Sequence, residues 1–256
     1  MGAMIESVFR RDRAIVIGCL AGISVLAWIY LLRMPMPKTG MEGMADMAPA
    51  GYPEFTVAFA MWTVMMVGMM VTPAAPMILL FAKIARTRRA ASQPFVPTFI
   101  FVSGYLIVWI AASLAAAGAQ IGLARASMLS PGIGFLSPVA SGAVLVGAGL
   151  YQWSPWKHAC LRRCRSPLDF LLFHWRGGAA GALAMGIEHG LYCLGCCWLL
   201  MALLFVVGVM NLGYVAALMA LVLLEKAAPL GPWIARASGG AFIGAGLYLI
   251  LRASGL

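Results

Sequence analysis

The chain has 256 residues, of which 63% are hydrophobic and 10% are charged, and its mean hydropathy is +0.94. A soluble domain has roughly 25% charged and about 45–50% apolar residues, so lipid must cover the surplus apolar surface. The formal net charge is +10. The basic residues lie between apolar segments in a pattern that indicates membrane topology, and we predict no nucleic-acid partner.

Hydropathy predicts an all-α fold, a polytopic membrane helix bundle with about seven transmembrane helices, or six if one segment is re-entrant. Residues 1–55 would form an N-terminal transmembrane helix and an external Met-rich loop. Residues 56–256 would form a six-helix membrane domain that carries the chemical motifs. The predicted spans are residues 14–32, 56–81, 96–123, 133–153, 178–209, a short sixth helix that ends near Leu224, and 233–251.

The first apolar run sets the predicted orientation. It is long enough to span a bilayer and no clear small-residue cleavage site follows it, so we predict a retained helix. With the spans above, all but four of the 18 Lys and Arg residues lie on one side of the membrane; the exceptions are Arg33, Lys38, Arg125 and Arg252. The positive-inside rule makes that side the cytoplasm, and the N-terminus would be cytoplasmic.

The external loop that follows is rich in methionine. It carries Met34, Met36, Met41, Met44 and Met47. This spacing resembles the flexible methionine motifs that capture copper outside the cytoplasm. The alternative is a disordered linker that contains Pro and Gly.

The second predicted span has a thioether-rich face. Met66 and Met70 are four residues apart, as are Met65 and Met69, so they share a broad face of a helix. Thioethers are soft ligands that select copper(I). Methionine is also good packing material in an apolar core, and that alternative stays open.

The connection between the fourth and fifth spans contains Cys160 and Cys164, which would share a helix face. The basic residues around them predict lowered thiol pKa values for both. A metal relay, a redox pair and a basic amphipathic segment on anionic lipid are the alternatives. The reducing cytoplasm argues against a structural disulfide.

The fifth span carries the densest cluster of reactive side chains, Glu188, His189, Cys193, Cys196 and Cys197. On a helix His189, Cys193 and Cys197 share one face, with Cys196 at its edge. Ionisable groups are costly inside a membrane, which favours a ligand set for copper, zinc or iron. The alternative is buried, inert cysteines with Glu188 and His189 paired to a basic residue. The methionines of the second span lie at a similar depth, so the two patches are predicted to meet inside the bundle.

The short sixth helix ends in Glu225 and Lys226. Adjacent residues on a helix do not face each other, so each is predicted to contact another helix or the lipid headgroups. An alternative places Glu225 beside His189.

Four segments together carry a family resemblance: residues 61–76, 160–177, 186–198 and 210–226. They resemble a bacterial domain-of-unknown-function family, number 2182, of predicted metal-binding integral membrane proteins, and the likeness covers about residues 55–255. The resemblance implies a bacterial inner-membrane protein and a bound metal, but no reaction. The resemblance implies that His189, Cys193, Cys196 and Cys197 correspond to the family's motif, followed by Cys160 and Cys164.

The sequence therefore favours a membrane protein that binds or transports a soft transition metal, with copper(I) first and zinc or iron as alternatives. Cys193, Cys196, Cys197 and His189 would be the primary ligands, the methionines auxiliary ones, and Glu188 an orienting group. A membrane oxidoreductase with a metal or haem centre and a structural or assembly subunit of a larger complex are rival hypotheses. The expected partners are the lipid bilayer and the metal ion, with other membrane subunits or a metallochaperone as further candidates.

Overall fold

The computed structural model describes residues 2–33, 52–88, 95–125, 136–208 and 211–254. The five methionines of the predicted external loop lie outside the described residues. The described chain is helical and has no strand, which confirms the all-α class. Its helices are α1 Gly2–Arg33, α2 Tyr52–Arg88, α3 Phe95–Arg125, α4 Pro138–Gln152, α5 Pro155–Arg165, α6 Pro167–Phe173, α7 Gly178–Ala202, α8 Leu204–Val207, α9 Leu212–Ala227 and α10 Gly231–Ala253.

Five stretches of the described chain are long and apolar enough to cross a membrane. They contain 21 to 33 residues each and belong to α1, α2, α3, α7 with α8, and α10. The predicted fourth and sixth spans correspond to α4 and α9, which have only 15 and 16 residues. At 1.5 Å per residue each is about 24 Å long or less, short of the ~30 Å apolar core of a bilayer.

Local sequence explains why these two helices are short. Helix α4 begins only at Pro138, where the side chain of Ser137 accepts a hydrogen bond from the amide of Ala140. Helix α9 begins after Asn211, whose side chain caps the amide of Tyr214. It ends two residues before Pro229, and proline cannot continue a helix. In the described residues, α4 and α9 thus stand beside five long helices as shorter members of the bundle.

Helix α2 lies at the centre of the bundle. It contains Pro73 and Pro76 and still runs as one helix. It packs against α1, α3 and α9 and is the most buried of the five long helices. The buried indole of Trp62 donates a 2.6 Å hydrogen bond to the side-chain oxygen of Gln120 on α3. This bond pairs two polar groups that lipid or an apolar core could not satisfy.

Glycines bring two pairs of helices into backbone contact. Helix α3 meets α7 at Gly104 and Gly186, and a Cβ atom on either residue would overlap a backbone carbonyl of the other helix. Helix α4 meets α10 in the same way, since a Cβ on Gly149 would lie 2.6 Å from the carbonyl oxygen of Gly239. Small residues at helix crossings are typical of membrane bundles.

The connection through α5 and α6 is more deeply packed than a surface segment. The side chain of Lys157 is fully buried, and its Nζ lies 2.6 Å from Oε2 of Glu225 on α9. Phe170 and Leu171 join the core, whereas Leu168 and Phe173 are exposed. Phe170 and Leu171 were expected in the lipid interface under the alternative of a surface segment, but they pack in the protein core, and Lys157 pairs with Glu225.

Arg165 joins α5 to the turn between α9 and α10. Its guanidinium donates hydrogen bonds to the carbonyl oxygens of Glu225 at 2.6 Å, Ala228 at 2.7 Å and Pro229 at 3.3 Å. The last carbonyls of a helix have no partner within the helix, and Arg165 supplies one. This contact places α5 beside the C-terminal end of α9.

Candidate metal centre

The three cysteines of α7 lie in the interior of the bundle. Cys193, Cys196 and Cys197 are at most 2% exposed. The thiols of Cys196 and Cys197 each lie 3.0 Å from the carbonyl oxygen of Cys193 and donate to it. The side chains of Cys196 and Cys197 also contact each other. One turn of α7 thus concentrates three sulfur atoms in a buried position.

Helix α5 brings the two further cysteines to this turn. The side chain of Cys164 makes a hydrogen bond with that of Cys196. Cys160 packs against Gly195, where a Cβ atom would lie 2.8 Å from its Sγ. The chain therefore assembles five sulfur atoms from two helices, which we call the thiol cluster: Cys160, Cys164, Cys193, Cys196 and Cys197.

The predicted effect of the basic residues on the α5 thiols is wrong. Burial raises the pKa of Cys160, and the proximity of Cys196 raises it further. The hydrogen bond with Cys196 raises the pKa of Cys164, and burial adds to this effect. Arg162 and Arg163 are exposed, and the guanidinium of Arg163 lies over the ring of Tyr192 at 5.9 Å from its centroid. Arg165 is half-buried, and its guanidinium is bonded to carbonyl oxygens at the end of α9. These charges therefore do not outweigh burial.

The raised pKa of Cys160 predicts a slow reaction with alkylating reagents near neutral pH. The thiolate is the nucleophile, and an ordinary thiol has a pKa of about 8.5. We expect the alkylation rate of Cys160 in the metal-free protein to keep rising above that pH, whereas the same residue in the denatured chain levels off. Mass spectrometry of the Cys160 peptide after iodoacetamide pulses measures this. A plateau below pH 8 would contradict the burial argument.

Tyr105 of α3 connects the thiol cluster to the methionine-rich helix. Its hydroxyl donates a 2.8 Å hydrogen bond to the carbonyl oxygen of Met70 and lies 3.2 Å from Sγ of Cys193. Met66, Met69 and Met70 are buried in the same core. The two soft-donor patches therefore lie at the same level of the bundle, joined by a single phenol.

Lys226 of α9 reaches the thiol cluster from another side. Its Nζ donates a 2.9 Å hydrogen bond to Sγ of Cys193. The neighbouring residue Glu225 turns to Lys157 and Gln152, whose Nε2 lies 2.8 Å from Oε1 of the carboxylate. Glu225 and Lys226 thus contact different helices, as their adjacency predicts, and the alternative in which Glu225 orients His189 is not what the structure has.

His189 is buried one turn before Cys193. Its ring packs against Tyr105 at 5.7 Å, Phe101 at 6.2 Å and Phe170 at 5.9 Å between centroids. Its Nδ1 is buried, and no described residue forms a hydrogen bond with it. A buried polar atom without a hydrogen bond is costly. The Nδ1 nitrogen of His189 is therefore available to bind a metal ion or to accept a proton.

Glu188 lies on a different face of α7. Five residues separate it from Cys193, which places it about 140° around the helix axis. Its carboxylate pairs with Nε2 of His174 and with the guanidinium of Arg176, both at 3.6 Å. The structure therefore separates Glu188 from the thiols, and its contacts tie α7 to the segment that precedes it.

The donor chemistry of the thiol cluster fits a soft ion. In the part of the chain that the structure describes, no three His, Cys, Asp or Glu side chains are arranged to hold a metal ion together. The sulfur atoms instead contact one another in pairs across α5 and α7. Thiolates and thioethers select copper(I), which accepts few ligands, whereas hard ions need several oxygen donors. The residues present thus suit copper(I) better than magnesium or calcium.

Sequence reasoning missed two residues of this site. Tyr105 gave no signal, because an aromatic residue in an apolar helix is ordinary packing. Lys226 was noted, but its contact with Cys193 depends on how α9 meets α7. The sequence offered one indication of this contact: Lys226 has no acidic residue three or four positions away with which it could pair on its own helix.

The described residues form an all-α bundle whose long apolar helices enclose a cluster of buried sulfur atoms. The chain matches the PpoB2 family, described as copper chaperone, over residues 59–249, and it belongs to that family. This match supports the metal-related character of the family resembled above, but not that particular numbered family. No curated protein and no solved structure matches the chain.

Proposed function

We propose that the protein is an integral membrane copper chaperone that holds copper(I) on the thiol cluster. The observation that carries the proposal is the meeting of three buried α7 thiols with two α5 thiols beside a methionine-rich helix. Membership of a copper-chaperone family supports copper as the ion. Soft sulfur donors support the monovalent state.

The arrangement of the thiols suggests the order in which they act. Cys160 and Cys164 are only half-buried, whereas the α7 thiols are enclosed. We propose that the α5 thiols exchange copper with the cytoplasmic side and that two of the three α7 thiols, Cys193, Cys196 and Cys197, retain it at a time. Each thiol that binds the ion releases its proton to solvent. Met66, Met69 and Met70 would serve as neutral auxiliary donors, and the external methionines as the capture site on the opposite side.

The chemistry of these donors suits transfer better than permanent storage. Several sulfur atoms of similar softness lie next to one another, so an ion can exchange one for the next without leaving protein ligands. Sulfur atoms on two helices also let the ion bridge α5 and α7. His189, with its free Nδ1, would take part as a further ligand or as a proton acceptor during exchange.

The charge distribution supports a bacterial inner-membrane location with a cytoplasmic N-terminus. In the structure, the indole of Trp153 donates to the carbonyl oxygen of Arg236 at 2.9 Å, and Arg165 binds the turn that precedes α10. The ends of α4, α5, α9 and α10 that carry these basic residues therefore lie together. We propose that this end faces the cytoplasm.

Metal analysis of the detergent-purified protein tests the proposal. We expect stoichiometric copper after anaerobic loading with copper(I), and loss of nearly all of it in the double variant Cys193→Ser/Cys197→Ser, because oxygen is a poor ligand for this soft ion. Cys19→Ser is the matched control, since Cys19 is exposed on α1. It should retain the wild-type copper content.

Two results would contradict the proposal. One is a wild-type protein that stays free of copper although its thiols are reduced. The other is equal loss of copper in the Cys19 control, which would indicate binding to exposed thiols rather than to the cluster. A haem absorption band in the purified protein would instead favour the oxidoreductase hypothesis.

A further inference from the structure

We propose that Lys226 makes the thiol cluster select a monovalent soft cation, copper(I) or silver(I), over divalent zinc. The inference rests on the proposed function, because it assigns a specificity-determining residue to the same site. Its starting point is the 2.9 Å contact between Nζ of Lys226 and Sγ of Cys193.

The ammonium of Lys226 has sulfur rather than carboxylate as its partner. Among the described residues, the ion pairs of acidic side chains join Glu225 to Lys157, and Glu188 to His174 and Arg176. Within the described ranges, Nζ of Lys226 has one hydrogen bond, the one to Cys193. A fixed positive charge therefore lies next to a candidate ligand atom, and no acidic side chain of those ranges forms an ion pair with it.

The ammonium of Lys226 changes the net charge of the site when a metal ion is bound. In the described residues no three His, Cys, Asp or Glu side chains are arranged around one point, so we count two of the thiols as ligands of a bound ion. Each loses its proton when it binds the metal, and together they contribute two negative charges. With the ammonium the site has a net charge of minus one. Copper(I) or silver(I) brings that charge to zero, whereas zinc(II) leaves an excess positive charge.

The surroundings make the excess charge costly. Cys193, Cys196 and Cys197 are enclosed in an apolar core with Tyr105 and the α2 methionines. Charges interact more strongly there than in water, and an uncompensated charge is poorly tolerated. Zinc is otherwise a good partner for cysteine and histidine, so ligand type alone would not reject it. The positive charge of Lys226 beside Cys193 accounts for the preference for a monovalent ion over zinc(II).

Competition measurements on the reduced, detergent-purified protein test this inference. Silver(I) and copper(I) are the monovalent probes and zinc(II) is the divalent probe, each titrated against a chelator of known affinity. We expect Lys226→Met to raise the affinity for zinc relative to copper about tenfold or more, a change in the range of those seen when groups around a metal site are altered. Lys226→Arg keeps the charge and should keep most of the selectivity.

Lys83→Met is the matched control, because Lys83 is an exposed lysine of α2. It should leave the zinc-to-copper ratio unchanged. Lys226→Gln provides a second neutral variant in case Lys226→Met does not fold. An unchanged ratio in a folded neutral variant that still binds copper would overturn the inference.

The outcomes separate this inference from the proposed function. A wild-type protein that binds no copper refutes the proposed function itself. A wild-type protein that binds copper, with neutral variants that keep its selectivity, refutes only the role of Lys226. If both neutral variants fail to fold while Lys226→Arg folds, Lys226 is a structural counter-ion, and the inference is likewise overturned.

Discussion

Replacing Glu225 by alanine is expected to lower the free energy of unfolding by about 3–5 kcal/mol, the usual cost of removing one partner of a buried ion pair. The ammonium of Lys157 is fully buried and has the carboxylate of Glu225 as its ionic partner at 2.6 Å. Alanine would leave that ammonium without a counter-charge. It would also remove the acceptor that Gln152 uses at 2.8 Å. Thermal and denaturant unfolding in detergent measure the change.

A double variant distinguishes loss of charge balance from loss of packing. Lys157→Met/Glu225→Gln removes both charges, keeps side chains of similar size and leaves an amide oxygen for Gln152. Replacement of a complete buried pair is often nearly neutral, so most of the lost stability should return. If the double variant is as unstable as Glu225→Ala, packing and not the ion pair holds α5 against α9.

The substitution Gly186→Ala is expected to be at least as damaging as ordinary overpacking, which costs about 1–3 kcal/mol. The added methyl group would overlap the carbonyl oxygen of Phe101 and come within 3.2 Å of Cα of Gly104. These neighbours are backbone atoms, which cannot turn away as a side chain can. Helices α3 and α7 would have to separate, and Tyr105 would move away from Cys193. We therefore expect lower stability and weaker copper binding together.

Gly118→Ala on α3 is the matched control. A Cβ atom there meets nothing within 4 Å, and alanine favours a helix over glycine by roughly 0.5–1 kcal/mol. This variant should be as stable as the wild type or slightly more so. If Gly186→Ala behaves like Gly118→Ala in unfolding and in copper titration, the close approach of α3 and α7 does not position the site.

The long apolar helices could be predicted from the sequence because lipid imposes a simple rule on length and composition. The boundaries predicted for the first, third and seventh spans agree with α1, α3 and α10 to within a few residues of their apolar stretches. The second span was predicted to end at residue 81, but α2 continues to Arg88. The short helices were harder to predict, since α4 and α9 are as apolar as the five long stretches, and their caps and turns limit their length.

The part of the candidate site that lies on a single helix, α7, could be predicted from the sequence. The spacing of His189, Cys193 and Cys197 fixes their common face in any helix. What the spacing could not give is the contact of Cys164 with Cys196 or of Lys226 with Cys193. These contacts depend on how α5 and α9 pack on α7. The pKa values of the α5 thiols were predicted in the wrong direction for the same reason, because the burial that raises them depends on tertiary packing.

The bond from Arg165 to the end of α9 bears on the biosynthesis of the protein. Arg165 lies 60 positions before Glu225 and supplies a partner to carbonyl groups that α9 itself leaves open. The ribosome makes α5 first, so the hydrogen-bond donor for the last carbonyl groups of α9 is already present when that helix emerges. A helix of only 16 residues, whose last carbonyl groups lack partners of their own, thus has its end fixed by a segment of the chain that is made before it.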